Sequence, residues 1–344
     1  MKHFGFNSKI ISQVKAIYSK NQSAITVNGS LTEYFSTSIG VLQGCILSPP
    51  LFNITLEAMM NIAKDSTEES GIKLYGSKVS NLRYADDIVG IAETVQELQE
   101  LTSSINTASE RIGMQINAGK TNTMMMGRQH EDFSIKINNT ELKQVTDFIY
   151  LGSKFTEDND CSEDVKRRLV LARQKFAQLK IIWKSKHISS QLKIRLYNAL
   201  IVPIALYGSE TWTLMQYTTN KLMAFEMQCL RSIANVYWTD KLTNDEVLQL
   251  LNTRRNLITR LTQGQRRYLG HMLRMDEVRL PKRAFLTRME GSRPRGRPRY
   301  RWFDRIQVNT GLAKSQLIRA AGDRDEFRQV VVKAATPSDG RDAS

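Results

Sequence analysis

The stretch Asn81-Leu82-Arg83-Tyr84-Ala85-Asp86-Asp87-Ile88-Val89-Gly90-Ile91 sets two adjacent carboxylates between two short apolar runs. Such runs read as a β-hairpin whose turn carries Asp86 and Asp87. A turn leaves its side chains to solvent, so two acids there can share a divalent cation through hard oxygen ligands. Asp is also common in turns for local hydrogen-bonding reasons alone. What distinguishes the two readings is the order of the segments around the pair.

Upstream, Ile10, Val14 and Ile17 fall at helical spacing behind Asn7 or Ser8 as N-cap. Residues 23–28 alternate and end in Asn28-Gly29, a hairpin turn, with a strand returning through Thr32 to Ile39. Then come a Gln43-Gly44 loop, where a backbone can approach a ligand closely, and Ser48-Pro49. A hydroxyl N-cap followed by proline starts a helix that carries Leu51, Phe52, Ile54, Leu56, Met59 and Met60 towards Ala63.

Downstream, residues 94–111 form an amphipathic helix with Val95, Leu98, Leu101 and Ile105 on one stripe. Lys120 follows in Ala118-Gly119-Lys120-Thr121, a cation beside a glycine turn and suited to phosphate as a point charge. Residues 147–155 are an apolar strand broken by Gly152, which by itself means only a packing bend.

Taken in this order, Leu42-Gln43-Gly44, Leu47-Ser48-Pro49 and Tyr84-Ala85-Asp86-Asp87 resemble the palm of reverse transcriptases. The wording is most like that of non-LTR (LINE-type) retrotransposon enzymes. The resemblance implies RNA-directed DNA synthesis from an RNA template, a DNA primer and deoxynucleoside triphosphates, with Mg²⁺ (or Mn²⁺). Asp86 and Asp87 would ligate the metal, and Tyr84 and Ala85 would line the primer–nucleotide site. Gln43, Gly44, Ser48 and Pro49 would border template and nucleotide. Lys120 matches the lysine proposed to help pyrophosphate leave, and Tyr150-Leu151-Gly152 matches the hairpin that grips the primer end.

Charge points the same way. Forty-nine Lys and Arg face 34 Asp and Glu, a net +15 that suits a polyanionic partner. From residue 162 to 186 the stripe Val165, Leu169, Ala172, Phe176, Leu179, Trp183 predicts one long helix, whose other faces carry Arg167, Arg168, Arg173 and Lys175. Placed after the primer-grip-like segment, it suits a thumb tracking a duplex through its phosphates. Farther on, Arg293, Arg295, Arg297, Arg299 and Arg301 alternate with Pro, Gly and Tyr. That composition predicts an extended basic strap contacting nucleic acid, with nuclear targeting as the competing reading.

No apolar run approaches the ~20 residues of a membrane span, and residues 1–8 lack the apolar core of a secretory signal. Three scattered cysteines make neither a disulfide framework nor a zinc spacing. These features predict an intracellular protein, nuclear and/or cytoplasmic, that is not secreted and contacts no membrane.

The expected fold is α+β. A partial right-hand palm with a small antiparallel sheet covers 1–156, a helical thumb 157–240, and a basic helical tail 241–344. One part of the resemblance is missing: polymerases of this type use a third carboxylate upstream of the Gln-Gly loop. Here the only acid before Glu57 is Glu33, and the next Asp is Asp65, on the wrong side of the Ser-Pro helix. Two-metal chemistry needs that bridging acid. The expectation is therefore an amino-terminally truncated reverse transcriptase, inactive alone. The alternative is a non-catalytic nucleic-acid-binding remnant.

Overall fold

A computed structural model describes residues 1–19, 21–37, 40–42, 44–64, 70–127, 132–253, 257–287 and 301–333. Gln43, Asp65, Arg293, Arg295, Arg297 and Arg299 lie outside the described residues. Helices and small sheets coexist, and the chain divides into two compact units: Met1–Thr123 with Asp132–Gln144, and Met124–Glu131 with Val145–Ser344. Among the described residues no helix is long and apolar enough to cross a membrane.

In the first unit, α1 (Ser8–Tyr18) starts as the spacing predicts, with the Asn7 side chain accepting from the Lys9 amide at 2.8 Å. β1 (Gln22–Ser23) and β4 (Phe35–Ser36) enclose the hairpin of β2 (Thr26–Val27) and β3 (Ser30–Leu31). Its turn puts Asn28 at φ 52 and Gly29 at φ 84. Asn and Gly tolerate that left-handed pair best. Next, α2 (Ser48–Lys64) begins one residue away from the expected cap. The Leu47 carbonyl takes the first helical bond, from Leu51 N at 3.1 Å. The Ser48 hydroxyl instead donates to the Leu42 carbonyl at 2.5 Å and meets the Tyr18 hydroxyl at 3.2 Å. Ser48 thus ties down the preceding loop, and Pro49 and Pro50 occupy first-turn positions where a missing N–H costs nothing.

Two hairpins follow, β5 (Ile72–Leu74) with β6 (Ser77–Val79) and β7 (Asn81–Tyr84) with β8 (Asp87–Gly90). α3 (Val95–Arg111) is N-capped by Thr94, which accepts from Glu97 N at 3.1 Å. β9 (Asn122–Thr123), β10 (Lys136–Ile137), β11 (Thr140–Glu141) and β12 (Lys143–Gln144) complete the unit. β10 pairs with β11 antiparallel and β12 with β9 parallel. Every sheet of the described residues is two-stranded, so the hairpins depend on helices for a core. That core joins Leu56, Met59, Met60 and Ala63 of α2 to Leu101, Ile105 and Ala108 of α3, with Ile88 of β8 packed against it.

The second unit opens with the hairpin β13 (Asp147–Tyr150) and β14 (Ser153–Thr156). The helix expected from 162 to 186 is instead two, α4 (Ser162–Gln178) and α5 (Lys180–Lys184), broken at Leu179. The break lets Trp183 stack on Phe176 at 4.8 Å and donate its indole N–H to the Phe176 carbonyl at 2.8 Å. The stripe itself is as spaced: Val165, Leu169, Ala172 and Trp183 are buried. Around it pack α6 (Ser190–Leu200), α7 (Val202–Ala205), α8 (Gln216–Ala234), α9 (Asn244–Leu250) and the start of α10 (Leu257–Leu273), through Tyr197, Trp212, Leu222, Phe225, Val247 and Leu257. α9 opens with a capping box between Thr243 and Glu246. The buried Glu226 of α8 accepts the Leu257 amide at 2.9 Å, capping α10 from a neighbouring helix.

A second core gathers α10, α11 (Leu280–Leu286), α12 (Trp302–Thr310), α13 (Lys314–Gly322) and α14 (Arg324–Lys333) around Leu269, Met272, Ile306, Leu317 and Phe327. Gly270 permits this closeness, since a Cβ there would overlap the Phe327 ring.

Candidate functional site

The β7–β8 register pairs Tyr84 with Asp87, Arg83 with Ile88 and Leu82 with Val89. The turn therefore consists of Ala85 and Asp86, and Asp87 opens the returning strand, one position past where the apolar runs alone put it. Ala85 has φ 50, left-handed backbone that an alanine adopts at some cost. Directly opposed residues share a face. On the inner face Arg83 pairs with Glu57 of α2 at 2.9 Å, and Ile88 enters the helical core. Gly90 lies under α3, where a Cβ would sit 3.3 Å from Leu101 Cδ2. On the outer face Tyr84 is 66% exposed, and Asp86 and Asp87 are both exposed.

Two neighbouring, solvent-facing carboxylates are the hard oxygen donors a Mg²⁺ or Mn²⁺ ion takes, so the pair fits one such ion. Among the described residues no group of three or more His, Cys, Asp or Glu is placed to hold a metal. The arrangement that clamps two ions is therefore not met by these residues.

Gly44 lies on the loop tied down by Ser48, at φ 83 with nothing near its absent side chain. Lys120 is exposed at the end of a tight turn, its amide bonding the Asn117 carbonyl at 3.0 Å. Its ammonium has no ion-pair partner among the described residues. Tyr84, Ala85, Asp86 and Asp87 are thus brought together on one hairpin. Gly44, Ser48 and Pro49 meet at one loop–helix junction, and Lys120 stands on a separate turn of the same unit.

The other predicted residues belong to the second unit, centred on the β13–β14 turn at Leu151 (φ 47) and Gly152 (φ 83). The Gly152 carbonyl accepts from Arg167 Nη1 at 2.8 Å and from Arg168 Nη2. Tyr207 donates its hydroxyl to the Leu151 carbonyl at 2.8 Å, and its ring lies 4.1 Å beneath the Arg168 guanidinium. Asp164 accepts from the Lys154 amide at 2.9 Å and from the Trp212 indole at 3.1 Å, and lies 3.8 Å from Arg168 Nε. Burial lowers the Arg168 pKa while Asp164 opposes the shift. Arg168 is buried and engaged with the hairpin. Arg173 is exposed, 5.5 Å over the Phe225 ring, and Lys175 is half-buried.

Asp164, Tyr207 and Trp212 are contributors that residue spacing does not reveal as part of a site. The available signal is the dense run Tyr207-Gly208-Ser209-Glu210-Thr211-Trp212. Gly208 there has φ 70, and a Cβ would approach Ser153 Oγ to 2.8 Å. The same run anchors later helices: the Trp302 indole donates to the Glu210 carbonyl at 2.7 Å, and Gln265 Nε2 donates to the Trp212 carbonyl at 2.7 Å.

Residues 1–155 match the family model described as reverse transcriptase (RNA-dependent DNA polymerase). The chain is 24% identical over 285 residues to a transposon-derived protein of Caenorhabditis elegans, covering 78% of this chain and all of that one. It is 23% identical over 243 residues to the RNA-directed DNA polymerase from mobile element jockey of Drosophila funebris, covering 67% of this chain and 25% of the polymerase. A Pol polyprotein from a type-2 retrotransposable element of Drosophila melanogaster is 27% identical over 166 residues, 45% of this chain and 15% of that one. The chain spans a quarter or less of these two longer proteins and the whole of the nematode protein.

Proposed function

We propose that this chain, whose residues 1–155 match the reverse transcriptase family model and resemble the enzymes of non-LTR retrotransposons, carries part of the machinery for copying RNA into DNA. The observation that carries the reading is the hairpin whose closing pair, Tyr84 and Asp87, shares an open face beside the exposed Asp86. In this reading residues 1–156 are palm. Asp86 and Asp87 hold Mg²⁺ or Mn²⁺, whose chemistry there is charge neutralisation on a phosphoryl group in transfer. Tyr84 and Ala85 border the primer terminus. Gln43, Gly44, Ser48 and Pro49 border template and nucleotide, and Lys120 faces the departing phosphates as a positive charge.

Residues 157–240 are thumb, and residues 241–344 a basic helical tail. Tyr150, Leu151 and Gly152 form the turn that meets the primer end, and Arg167 and Arg168 fix that turn through the Gly152 carbonyl. Arg173, Lys175 and Arg301 supply phosphate contacts, which give affinity without sequence choice. The template is RNA, the primer DNA, and the substrates deoxynucleoside triphosphates.

Two adjacent acids hold a hydrated divalent ion weakly, and loss of preorganised charge at such a centre typically slows chemistry by ~10²-fold or more. The residues of this chain alone therefore bind primer–template far better than they extend it. A purely binding role is the second reading, favoured by the two-acid hairpin. The test is paired binding and extension on an RNA template with a DNA primer, in Mg²⁺ and in Mn²⁺, for the chain and for Asp86→Asn. The expected result is salt-sensitive binding unchanged by the substitution, with the slow extension abolished by it. Extension that survives Asp86→Asn removes the hairpin from the chemistry. Binding with no extension in either protein selects the second reading.

A further inference from the structure

Ten Lys and Arg, and not one Asp or Glu, lie between Asp164 and Glu210. Five of those cations have partners within the fold. Lys166 pairs with Glu163, Arg167 and Arg168 donate to the Gly152 carbonyl, and Arg173 lies over the Phe225 ring. The buried Lys193 donates to the Trp183 carbonyl at 2.7 Å. The other five, Lys175, Lys180, Lys184, Lys186 and Arg195, make no hydrogen bond or ion pair among the described residues. All of them but the half-buried Lys175 are exposed.

These cations gather at one corner, where α4 ends, α5 follows and α6 begins. The corner is fastened at three points: Trp183 stacks on Phe176, Lys193 ties α6 to the end of α5, and the Ser189 hydroxyl caps α6 by accepting the Leu192 amide at 3.3 Å. Such fixed supports need no ordering when a ligand arrives. Of the elements packed around it, α7 carries no acid, and Glu226, the one acid of α8, is buried. The α4 carboxylates, Glu163 and Asp164, stand at the other end of that helix. The corner therefore presents uncompensated positive charge, complementary to a polyanion.

Its aromatic content selects the form of that polyanion. Single strands are held by bases stacked on exposed rings. Here Phe176 and Trp183 stack on each other and Tyr197 is buried, so the corner offers phosphate contacts without a stacking platform. That is the chemistry of a duplex backbone. Position supplies the register. Arg167 holds the β13–β14 turn near the start of α4, and Lys180 stands just past its end. The helix rise between them is ~20 Å at ~1.5 Å per residue. A duplex advances ~3.4 Å per base pair, so the span corresponds to ~6 base pairs.

We propose that the α4–α6 corner grips the backbone of the primer–template duplex about six base pairs behind the primer end. The proposal rests on the reading of the β13–β14 turn as the primer-side contact. Lys180, Lys184, Lys186 and Arg195 neutralise phosphates there, so affinity follows the length of the duplex and not its sequence.

The test uses the full chain and self-priming RNA–DNA stems, each closed at its far end by an uncharged ethylene-glycol linker so that short stems stay paired. Stems of ~4, ~6, ~8 and ~12 base pairs are compared by fluorescence anisotropy across a salt series. Affinity should step up between ~4 and ~8 base pairs and then level off, with steeper salt dependence above the step. Lys180→Gln, Lys184→Gln, Lys186→Gln and Arg195→Gln combined should remove the step. They should also lower the salt slope of the longest stem by about 3, each phosphate contact contributing ~0.7–0.9. Binding of the shortest stem and the thermal unfolding midpoint should stay unchanged. Lys180→Arg, Lys184→Arg and Lys186→Arg combined should keep the step, because charge is retained. The proposal is overturned by affinity that ignores stem length or by a step that survives the four Gln substitutions. It is overturned equally if those substitutions weaken binding to single-stranded RNA or to phosphatidylserine vesicles as much as to the longest stem. Failure of the polymerase reading shows elsewhere, as extension indifferent to Asp86→Asn, and leaves the length step in place.

Discussion

The Tyr207 hydroxyl donates to the Leu151 carbonyl, 2.8 Å away and 56 residues earlier in the chain. With the Arg168 guanidinium stacked on its ring, this contact holds the β13–β14 turn against α4. Tyr207→Phe should cost about 1 kcal/mol of unfolding free energy, the net worth of one such bond. Arg168→Met should cost more, about 3 kcal/mol, because it also removes the counter-charge 3.8 Å from the buried Asp164 carboxylate, which keeps only its hydrogen bonds from Lys154 and Trp212. Chemical denaturation measures both, and amide exchange at Ser153 and Lys154 should speed up in step. Equal losses for the two variants would rule out the shared Asp164 contribution.

Ala85 invites the opposite change. Its φ of 50 suits glycine. Ala85→Gly trades a strained conformation for a more flexible unfolded chain, so the net effect should be a gain of up to about 1 kcal/mol. A loss of stability would mean that the Ala85 methyl group makes a contact outweighing the strain.

Glu226 makes stability depend on pH. Burial pushes its pKa up to about 7, against the pull of the Leu257 amide and Arg260. The folded state therefore binds its proton more tightly than the unfolded chain, where the value is 4.5. Stability from this group is complete below pH 4.5 and falls as pH rises through 7, by on the order of 3 kcal/mol. Glu226→Gln keeps an acceptor for Leu257 and removes the charge, so its stability profile across that window should flatten. A slope that persists in the variant would assign the dependence elsewhere.

Gly270→Ala tests the second core of the helical unit. The added methyl overlaps the Phe327 ring, and overpacking of this kind costs ~1–3 kcal/mol, partly offset by alanine's better helix propensity. Phe327→Leu should recover part of the loss in the double variant, and thermal unfolding of the four proteins measures that coupling.

What could be read from residues alone follows the range of the forces. The turns at Asn28-Gly29 and around Asp86, the cap at Asn7, and the stripe from Val165 to Trp183 all rest on neighbours a few positions apart, and each is present. The helix break at Leu179 is not local, because it serves the stacking of Trp183 on Phe176. Ser48 looks like a cap until the Leu42 carbonyl competes for its hydroxyl. Arg167 and Arg168 look like phosphate contacts until Gly152 is placed beside them. Cationic side chains carry no mark of which will be spent inside the fold.

The run from Tyr207 to Trp212 has a consequence for synthesis on the ribosome. It secures the β13–β14 turn, yet it is itself fastened by Trp302 on the Glu210 carbonyl, and the Leu214 carbonyl just after it by Arg305, each about ninety residues later. Contacts of such sequence separation close last. At elongation rates of ~5–20 residues per second, the nascent hairpin waits several seconds for its fasteners to emerge. A chain that ended before Trp302 would keep its first motifs but leave the β13–β14 turn on an unsecured support.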